Sequence, residues 1–217
     1  MDYSKMPNDS KRSQKIFKAL QERYPDAHCA LNYHSPLELL FATILSAQST
    51  DVGVNKATPA LFEAFPTAQA YANASPEEIE PYISSIGLFR GKAKSLYTSA
   101  NMIVDLFGGE VPDNMNDLVK LRGVARKTAN VVLGNAFNKN EGVVVDTHVG
   151  RLAQRFGLTQ ETKPDKIEKD LMALFRQKDW TILSHLLIWH GREVCKKRSG
   201  TCADDAICKK YCSNATA

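Results

Sequence analysis

The chain has 217 residues, of which 43% are hydrophobic and 24% are charged, and its formal net charge at pH 7 is +4. This composition excludes a disordered chain, which needs low hydrophobicity and strongly unbalanced charge. The longest mostly apolar runs, residues 37–45 and 182–189, are also too short for the roughly 20 residues that cross a bilayer.

Apolar residues recur at helical spacing along most of the chain. A helix start is predicted at Ser75, where Pro76 suits the first turn and Glu78 completes a capping box. Strand-type alternation is almost absent, and the β-branched run Val143–Val145 is short. We therefore predict an all-α protein with about ten helices and short loops. The clearest periodic faces lie within residues 37–45, 79–86, 129–137 and 167–175.

Residues 116–137 read NDLVKLRGVARKTANVVLGNAF. They predict a helix ending near Leu121, a glycine turn over residues 122–125 and a second helix from Arg126. Such a turn exposes backbone N–H groups at a helix N-terminus, where the helix dipole attracts phosphate. We predict a hairpin that binds a nucleic-acid backbone, and the alternative is an ordinary helical corner with solvated charges. Sequence-independent attraction would come from the basic residues Lys120, Arg122, Arg126 and Lys127.

Two side chains in or after this segment could carry chemistry. Lys127 lies at the start of the second helix, and a neutral lysine amine is a nucleophile that can form a Schiff base. Asp146 follows the apolar run Val143–Val145, and a carboxylate facing such a lysine could take protons and stabilise a sugar cation. The alternatives are a surface or phosphate-binding lysine and an aspartate that only caps a helix starting near His148.

Four of the five cysteines crowd into the C-terminal segment, whereas Cys29 stands alone. The N-terminal stretch has no apolar core for a secretory signal, so we expect a reducing compartment in which disulfides are disfavoured. Clustered cysteines in such a chain more often hold a metal. Thiolates suit both iron–sulfur clusters and zinc, and a tail of free thiols or disulfides is the remaining alternative. The clustered residues are Cys195, Cys202, Cys208 and Cys212.

Together these residues resemble the endonuclease III family of DNA base-excision glycosylases. The similarity covers roughly residues 12–212 and consists of several motifs in a fixed order. They are SPLELL at 35–40, LSAQSTD at 45–51, VNKA at 54–57, IGLF at 86–89, LRGVARKTANVVL at 121–133, VVVDTHVGRLAQRFGL at 143–158 and WHGR at 189–192.

The resemblance implies a bifunctional DNA glycosylase and AP lyase of base excision repair. Lys127 matches the catalytic lysine, which attacks C1′ of the damaged nucleotide, and Asp146 matches the catalytic aspartate. Such enzymes cut the glycosidic bond, form a Schiff base and break the strand by β-elimination. Their usual substrates are double-stranded DNA with an oxidised or ring-saturated pyrimidine, such as thymine glycol, or with an abasic site. Flipping the nucleotide out of the stack costs on the order of a few kcal/mol.

The implied architecture is the all-α, two-lobed helix–hairpin–helix DNA glycosylase fold with a C-terminal metal-cluster loop. We expect a central helical domain at 29–139, and an iron–sulfur cluster domain formed by 1–28 plus 140–217. The active site is expected between them, with Lys127 and Asp146 on opposite sides. We also expect a monomer in the cytoplasm, associated with the nucleoid, because the chain is of prokaryotic type and shows neither a targeting signal nor a membrane segment.

Two residues match those that wedge into the space left by a flipped nucleotide. They are Gln48 and Leu88, for which the alternatives are a polar loop residue and a core residue after a glycine turn. Further DNA contacts are expected from the hairpin, from the start of the helix after Asp146 and from a basic loop after Cys195. These residues are Arg122, Gly123, Val124, Ala125, Arg126, His148, Lys196, Lys197 and Arg198.

In the family, four cysteines hold a [4Fe–4S] cluster in the pattern C-x6-C-x2-C-x5-C. Cys195 and Cys202 keep the first spacing. Cys208 and Cys212 then follow after gaps of five and three residues, and Asp205 stands where the third cysteine is usual. We expect the four cysteines to hold a [4Fe–4S] cluster with a structural and DNA-positioning role, and structural zinc is the alternative.

The hairpin departs from the family's usual Leu-Pro-Gly-Val-Gly turn at two positions. Arg122 stands in place of the proline, and Ala125 stands in place of the second glycine. A Cβ at position 125 is expected to disfavour a positive φ and to crowd an approaching phosphate. We therefore predict weaker or altered DNA binding relative to a glycine at this position.

Two other functions remain open. A monofunctional mismatch glycosylase would remove a base without nicking the strand. In those branches the position of Lys127 usually holds tyrosine or another residue, and the adenine-mismatch branch adds a C-terminal domain. This chain keeps the lysine and ends five residues after Cys212, which favours the lyase branch. A non-catalytic DNA-binding relative is the second alternative, and the presence of Asp146 beside the lysine argues against it.

Overall fold

The computed structural model describes residues 10–197 and 200–212, and all regular structure within them is helical, as predicted. The α-helices are α1 Ser10–Arg23, α2 Pro36–Ser46, α3 Asp51–Ala64, α4 Ala68–Asn73, α5 Pro76–Ile83, α6 Phe89–Phe107, α7 Met115–Leu118, α8 Arg126–Ala136, α9 Thr147–Arg155, α10 Pro164–Leu174, α11 Trp180–Glu193 and α12 Ala206–Tyr211. This exceeds the expected number because α4, α7 and α12 are too short to show a helical apolar period. No helix in the described ranges has the length and apolar character needed to cross a membrane.

Side-chain caps determine where many of these helices begin. At α5, Ser75 accepts a hydrogen bond from the Glu78 N–H while the Glu78 carboxylate accepts one from the Ser75 N–H, which confirms the predicted capping box. Such caps satisfy first-turn N–H groups that have no partner within the helix. Other side-chain N-caps are Ser35, Thr50, Thr67, Asn114, Asp146 and Asp205.

The chain divides into two compact units, which we call the central unit and the terminal unit. The central unit is Cys29–Lys139, and the terminal unit combines the residues up to His28 with those from Asn140 onward. Each unit has its own hydrophobic core. The assignment of each unit to a separate domain stays a prediction.

In the central unit, α2 packs against α3, α6 and α8. Every residue from Leu39 to Leu45 is buried, and the rings of Phe41 and Tyr71 meet edge to face with centroids 4.7 Å apart. Burying one such large apolar side chain contributes about 1.5–3 kcal/mol. The buried side chains of α2 therefore form a well-packed surface against which α8, the helix that follows the hairpin, is held.

In the terminal unit, α9 packs against α11, and α11 packs against α1. Gly191 permits the close approach of α9 and α11, because an ideal Cβ at this position would lie 3.0 Å from Nδ1 of His148. This packing holds the start of α9, where Asp146 lies, beside the end of α11, which Cys195 follows.

Candidate active site and cysteine cluster

The hairpin turn is fixed to the core of the central unit from both ends. Leu121 and Val124 are buried on either side of Gly123. Gly123 has a φ of 84°, and a Cβ built on it would lie 3.4 Å from Cγ2 of Ile44. Because the left-handed conformation disfavours a side chain, this position favours glycine. The preceding helix, α7, ends at Leu118 rather than near Leu121, because tight turns already replace helical hydrogen bonding there.

The second helix of the hairpin starts at Arg126, as predicted. Ala125 is its N-cap residue and has an extended backbone with φ −92° and ψ 169°. The expectation that a Cβ at 125 disfavours the required backbone is therefore wrong, since the positive φ falls on Gly123 instead. Ala125 supplies no side-chain cap. The first-turn N–H groups of α8 are thus presented without a capping side chain, in the arrangement that suits an anion.

Lys127 is the second residue of α8 and is exposed to solvent. The opposite face of this helix is buried through Ala129, Val132 and Leu133, which fixes its orientation on the core. The hairpin residues Arg122, Ala125 and Arg126 are exposed on the same segment. The structure therefore places an accessible amine within one helical turn of the glycine turn. The catalytic role of Lys127 stays a prediction.

Asp146 follows the buried run Val143–Val145, which has no regular secondary structure. The N–H of Val144 donates to Oγ of Ser184 at 3.0 Å, which ties this run to α11. Oδ1 of Asp146 accepts hydrogen bonds from the N–H groups of His148 and Val149, both at 2.8 Å. Asp146 is thus an N-cap of α9, and among the described residues no donor reaches its Oδ2. One carboxylate can therefore cap the helix and still present an oxygen for chemistry.

His148 is half-buried in the packing between α9 and α11. Its Nδ1 lies 3.2 Å from Nη2 of Arg151, and the same guanidinium donates to the carbonyl groups of Gly191 and Cys195. These contacts place His148 within the frame that connects α9 to the cysteine loop. Its contact with DNA stays a prediction.

Gln48 and Leu88 both adopt the left-handed backbone conformation, with φ values of 54° and 61°. Leu88 is 66% exposed, so its alternative interpretation as a core residue is wrong. A left-handed conformation costs a residue with a side chain about 1–2 kcal/mol, and such strain concentrates at functional sites. An exposed polar side chain and an exposed apolar side chain, each at a strained position, are consistent with wedges that enter a base stack. Their action on DNA stays a prediction.

Three of the four clustered cysteines converge in the terminal unit. The Sγ atoms of Cys195, Cys202 and Cys208 all lie within 4.8 Å of one another. Cys212 is half-buried, and its Sγ does not complete a four-thiol group within that distance. Asp205, at the position where the family has a cysteine, instead accepts hydrogen bonds from the N–H groups at the start of α12 at 2.9 and 3.0 Å. This cap starts the helix that buries Cys208 against the other two thiols.

Cationic and neutral donors surround these thiols. Nη1 of Arg155 donates to Sγ of Cys195 at 2.9 Å. A hydrogen bond from the Cys208 thiol, together with Arg155, holds the pKa of Cys195 below its ordinary value. The same bond to Cys195 raises the pKa of Cys208. Hydrogen bonds of this kind are what metal-bound sulfurs receive from the protein around them.

His190 contacts the cysteine group from the buried interior of the terminal unit. It is fully buried, with Nε2 3.3 Å from Sγ of Cys208 and Nδ1 3.0 Å from the Tyr24 hydroxyl. Burial lowers the pKa of His190, which favours the neutral ring. A neutral ring with its proton on Nε2 donates to the sulfur and accepts from the tyrosine. The hydrogen-bond donors around Cys195 and Cys208 therefore fit sulfur atoms that bind a metal ion or an iron–sulfur cluster.

Several of these contacts have no signal in the sequence pattern. Arg155 and His190 lie within the matched motifs, but no spacing rule points them toward a sulfur. Asp205 could have been recognised as an N-cap, since it precedes a short helical run. Of the basic loop residues, Lys196 and Lys197 are exposed, and Arg198 lies outside the described residues.

Comparison with known proteins identifies the family. A model for the HhH-GPD superfamily of base excision DNA repair proteins matches residues 41–177. The chain is 52% identical over 200 residues to endonuclease III of Synechocystis sp., covering 92% of this chain and 91% of that protein. It is 37% identical over 205 residues to endonuclease III of Escherichia coli, covering 93% and 96%.

Solved structures agree with the sequence comparison. A trapped endonuclease III–DNA covalent intermediate matches with a TM-score of 0.90 at 38% identity, covering 95% of this chain and 97% of that chain. A non-covalent endonuclease III–DNA complex also has a TM-score of 0.90 at 38% identity, covering 95% and 96%. A thermostable thymine-DNA glycosylase shares the fold, with a TM-score of 0.79 at 24% identity over 94% and 95% of the two chains. The predicted resemblance is confirmed, and the chain belongs to the endonuclease III family of base excision DNA repair enzymes.

Proposed function

We propose that this protein is a bifunctional DNA glycosylase and AP lyase that removes oxidised pyrimidines and nicks abasic sites. The observation that carries the proposal is Lys127, an exposed amine in the first turn of α8, directly after the glycine turn. The relatives named endonuclease III, and the one trapped as a covalent intermediate with DNA, support the same chemistry.

In the proposed reaction, the neutral amine of Lys127 attacks C1′ of the damaged nucleotide. A bond between Nζ and C1′ forms while the glycosidic bond breaks, and the base leaves with the bonding electron pair. Opening of the sugar ring gives a Schiff base. A base then takes a proton from C2′, and the freed electron pair forms a C2′–C3′ double bond while the C3′–O bond breaks and its electrons leave on the phosphate. Addition of water to the imine finally releases the lysine as a free amine. Asp146 accepts a proton and stabilises the positive charge that develops on the sugar.

A panel of duplexes tests this proposal. The panel contains thymine glycol, an abasic site, a mismatched base pair and an undamaged control in the same sequence. We expect base release and strand nicking at thymine glycol, nicking at the abasic site, and neither on the undamaged duplex. Base release at the mismatch without nicking would instead identify a monofunctional mismatch glycosylase. Binding without either reaction would identify a non-catalytic relative.

We propose that the hairpin holds a phosphate on the first-turn N–H groups of α8. The absence of a capping side chain at Ala125 supports this role, since a capping oxygen would occupy the same donors. Lys196 and Lys197, both exposed, would add further backbone contacts. Because such contacts release counterions, duplex affinity should fall steeply as salt rises.

The Ala125→Asp substitution is expected to have opposite effects on stability and on binding. Its carboxylate would cap α8 and raise the free energy of unfolding by about 1 kcal/mol. The same carboxylate would repel a phosphate and weaken duplex binding roughly tenfold. Chemical denaturation and fluorescence anisotropy with a labelled duplex measure the two effects. The control is Ala125→Gly, which removes the Cβ and should tighten binding; equal affinity for all three proteins would refute the phosphate site.

We propose that Cys195, Cys202, Cys208 and Cys212 hold a [4Fe–4S] cluster. The convergence of three thiols beneath Arg155 supports a thiolate-bound centre. When bound, the cluster would supply a cross-link that fixes the loop between α11 and α12, and structural zinc in the same thiols is the alternative. The loop carries exposed lysines, so its rigidity would serve DNA positioning.

Replacing Cys208 by serine should remove the visible absorbance and most of the iron of the purified protein. The reason is that Cys208 is the buried thiol that both Cys195 and His190 contact. The matched control is Cys29→Ser, which removes a thiol in the central unit and should leave both signals unchanged. Elemental analysis decides between the metals: zinc without iron in the wild-type protein would contradict the cluster.

We propose further that the enzyme acts on nucleoid DNA in the cytoplasm, because duplex DNA is its proposed substrate. We also propose that it acts as a monomer. Light scattering on the purified protein tests the monomer. Co-sedimentation with the nucleoid tests the location.

A further inference from the structure

We propose that Lys92 is a positioning residue that holds the two loops carrying Gln48 and Leu88 in the conformation that fills the space left by a flipped nucleotide. This inference rests on the proposed function and on the predicted role of those two residues as wedges. It adds a third residue that touches neither the base stack nor the reacting atoms and acts through the wedges.

The first observation is that Lys92 is a buried cation. Only 6% of its surface is exposed, and among the described residues no carboxylate pairs with it. Burial lowers the pKa of Lys92, because removing the ammonium from water disfavours its charge. A position that needed only to fill the core would be served better by an apolar side chain. The buried amine therefore points to a specific hydrogen-bonding task.

The second observation is the pair of contacts that Lys92 makes. Its Nζ donates to Oγ of Ser49 at 2.8 Å, and Ser49 directly follows Gln48 in the loop between α2 and α3. Its backbone N–H donates to the carbonyl of Leu88 at 3.1 Å, at the start of α6. This second bond is the first i→i+4 hydrogen bond of α6 and would form with any residue at position 92, so only the contact of Nζ with Ser49 depends on the lysine. That contact joins the loop of Gln48 to the first turn of the helix that begins after Leu88.

The third observation is that both loops are strained where Lys92 holds them. Gln48 has a φ of 54°, and Leu88 has a φ of 61°. A left-handed conformation persists in a residue with a side chain only when the surroundings enforce it. The Lys92–Ser49 hydrogen bond supplies a side-chain tether beside Gln48, and the first turn of α6 supplies a backbone tether at Leu88. The side chains of Gln48 and Leu88 are exposed rather than packed, so the strained backbone directs them toward solvent instead of into the core.

The test compares duplex affinities rather than catalytic rates. The probes are a duplex with a tetrahydrofuran abasic analogue and an undamaged duplex of the same sequence. We expect Lys92→Met to lower the preference for the analogue about tenfold. The reason is that a small displacement of Gln48 and Leu88 would strongly weaken their contacts with the DNA. Affinity for the undamaged duplex should stay within about twofold of wild type. Ser49→Ala should change the preference in the same direction.

Two controls separate positioning from a general structural role. Lys94→Met makes the same substitution at an exposed site on α6 and should leave the preference unchanged. In a Gln48→Ala, Leu88→Ala background, Lys92→Met should have no further effect, because its action passes through the wedges. An additional loss in that background, or a full preference in Lys92→Met, would overturn the proposal. If Lys92→Met does not fold, Ser49→Ala in both backgrounds gives the same comparison.

The positioning role, the wedge roles and the proposed function fail in different ways. If the wild-type protein shows no preference for the abasic analogue, the proposed function itself is contradicted. If the Gln48→Ala, Leu88→Ala protein keeps the full preference for the abasic analogue, the wedge assignment is wrong and the inference falls with it. If that protein loses the preference while Lys92→Met and Ser49→Ala keep it, only the positioning role is wrong.

Discussion

We expect the Lys127→Gln variant to give no enzyme–DNA product that borohydride can trap, and no nicking of an abasic-site duplex above background. Borohydride reduces a Schiff base, and a glutamine amide cannot form one. The substitution lies at an exposed position of α8, whose buried face is Ala129, Val132 and Leu133. The fold should therefore be unchanged, with a thermal midpoint close to that of wild type.

Gel electrophoresis after borohydride treatment measures this effect directly. The matched control is Lys94→Gln, which removes an exposed lysine from another helix of the central unit and should trap like wild type. Duplex affinity, measured separately, shows whether the variant has lost chemistry or binding. Trapping of Lys127→Gln at the wild-type level would mean that another amine attacks the sugar.

The second large effect is expected for Asp146→Asn, which should lower base excision by roughly 10²–10⁴-fold. Asparagine is as good an N-cap as aspartate, so the bonds from His148 and Val149 should persist and stability should change by only a few tenths of a kcal/mol. The loss would then belong to the missing charge and proton acceptor rather than to helix α9.

Asp146→Ala is the matched variant that removes both roles. It should lose the same activity and in addition about 1 kcal/mol of unfolding free energy, because α9 loses its cap. Single-turnover excision rates and denaturant unfolding measure the two quantities in parallel. Full activity in Asp146→Asn would show that this residue is an N-cap and nothing more.

Local hydrogen bonding explains which parts of the fold could be predicted. The capping box of Ser75, the start of α8 at Arg126 and the position of Asp146 before α9 all depend on residues within four positions of each other. Such signals are readable because the partners are sequence neighbours. The resemblance to the family located Gln48, since no local signal marks it.

At the hairpin, the sequence pattern did not predict the backbone conformation correctly. The pattern suggested that Ala125 replaces a glycine for conformational reasons, but the left-handed residue is Gly123. A turn sequence does not say which of its residues takes the positive φ when the ends of the turn are set by packing. Here the buried side chains of Leu121 and Val124 fix those ends.

Sequence patterns were enough to predict the all-α class, the hairpin, Lys127 at the start of α8 and Asp146 at the start of α9, and the clustering of four cysteines. The exposure of Leu88, the contact of Lys92 with Ser49 and the convergence of three thiols under Arg155 became visible only in the folded chain. The difference lies in the sequence distance over which the interactions act. Capping and helical periodicity act between neighbours in the chain, whereas exposure and the partner of a buried charge depend on how distant helices pack.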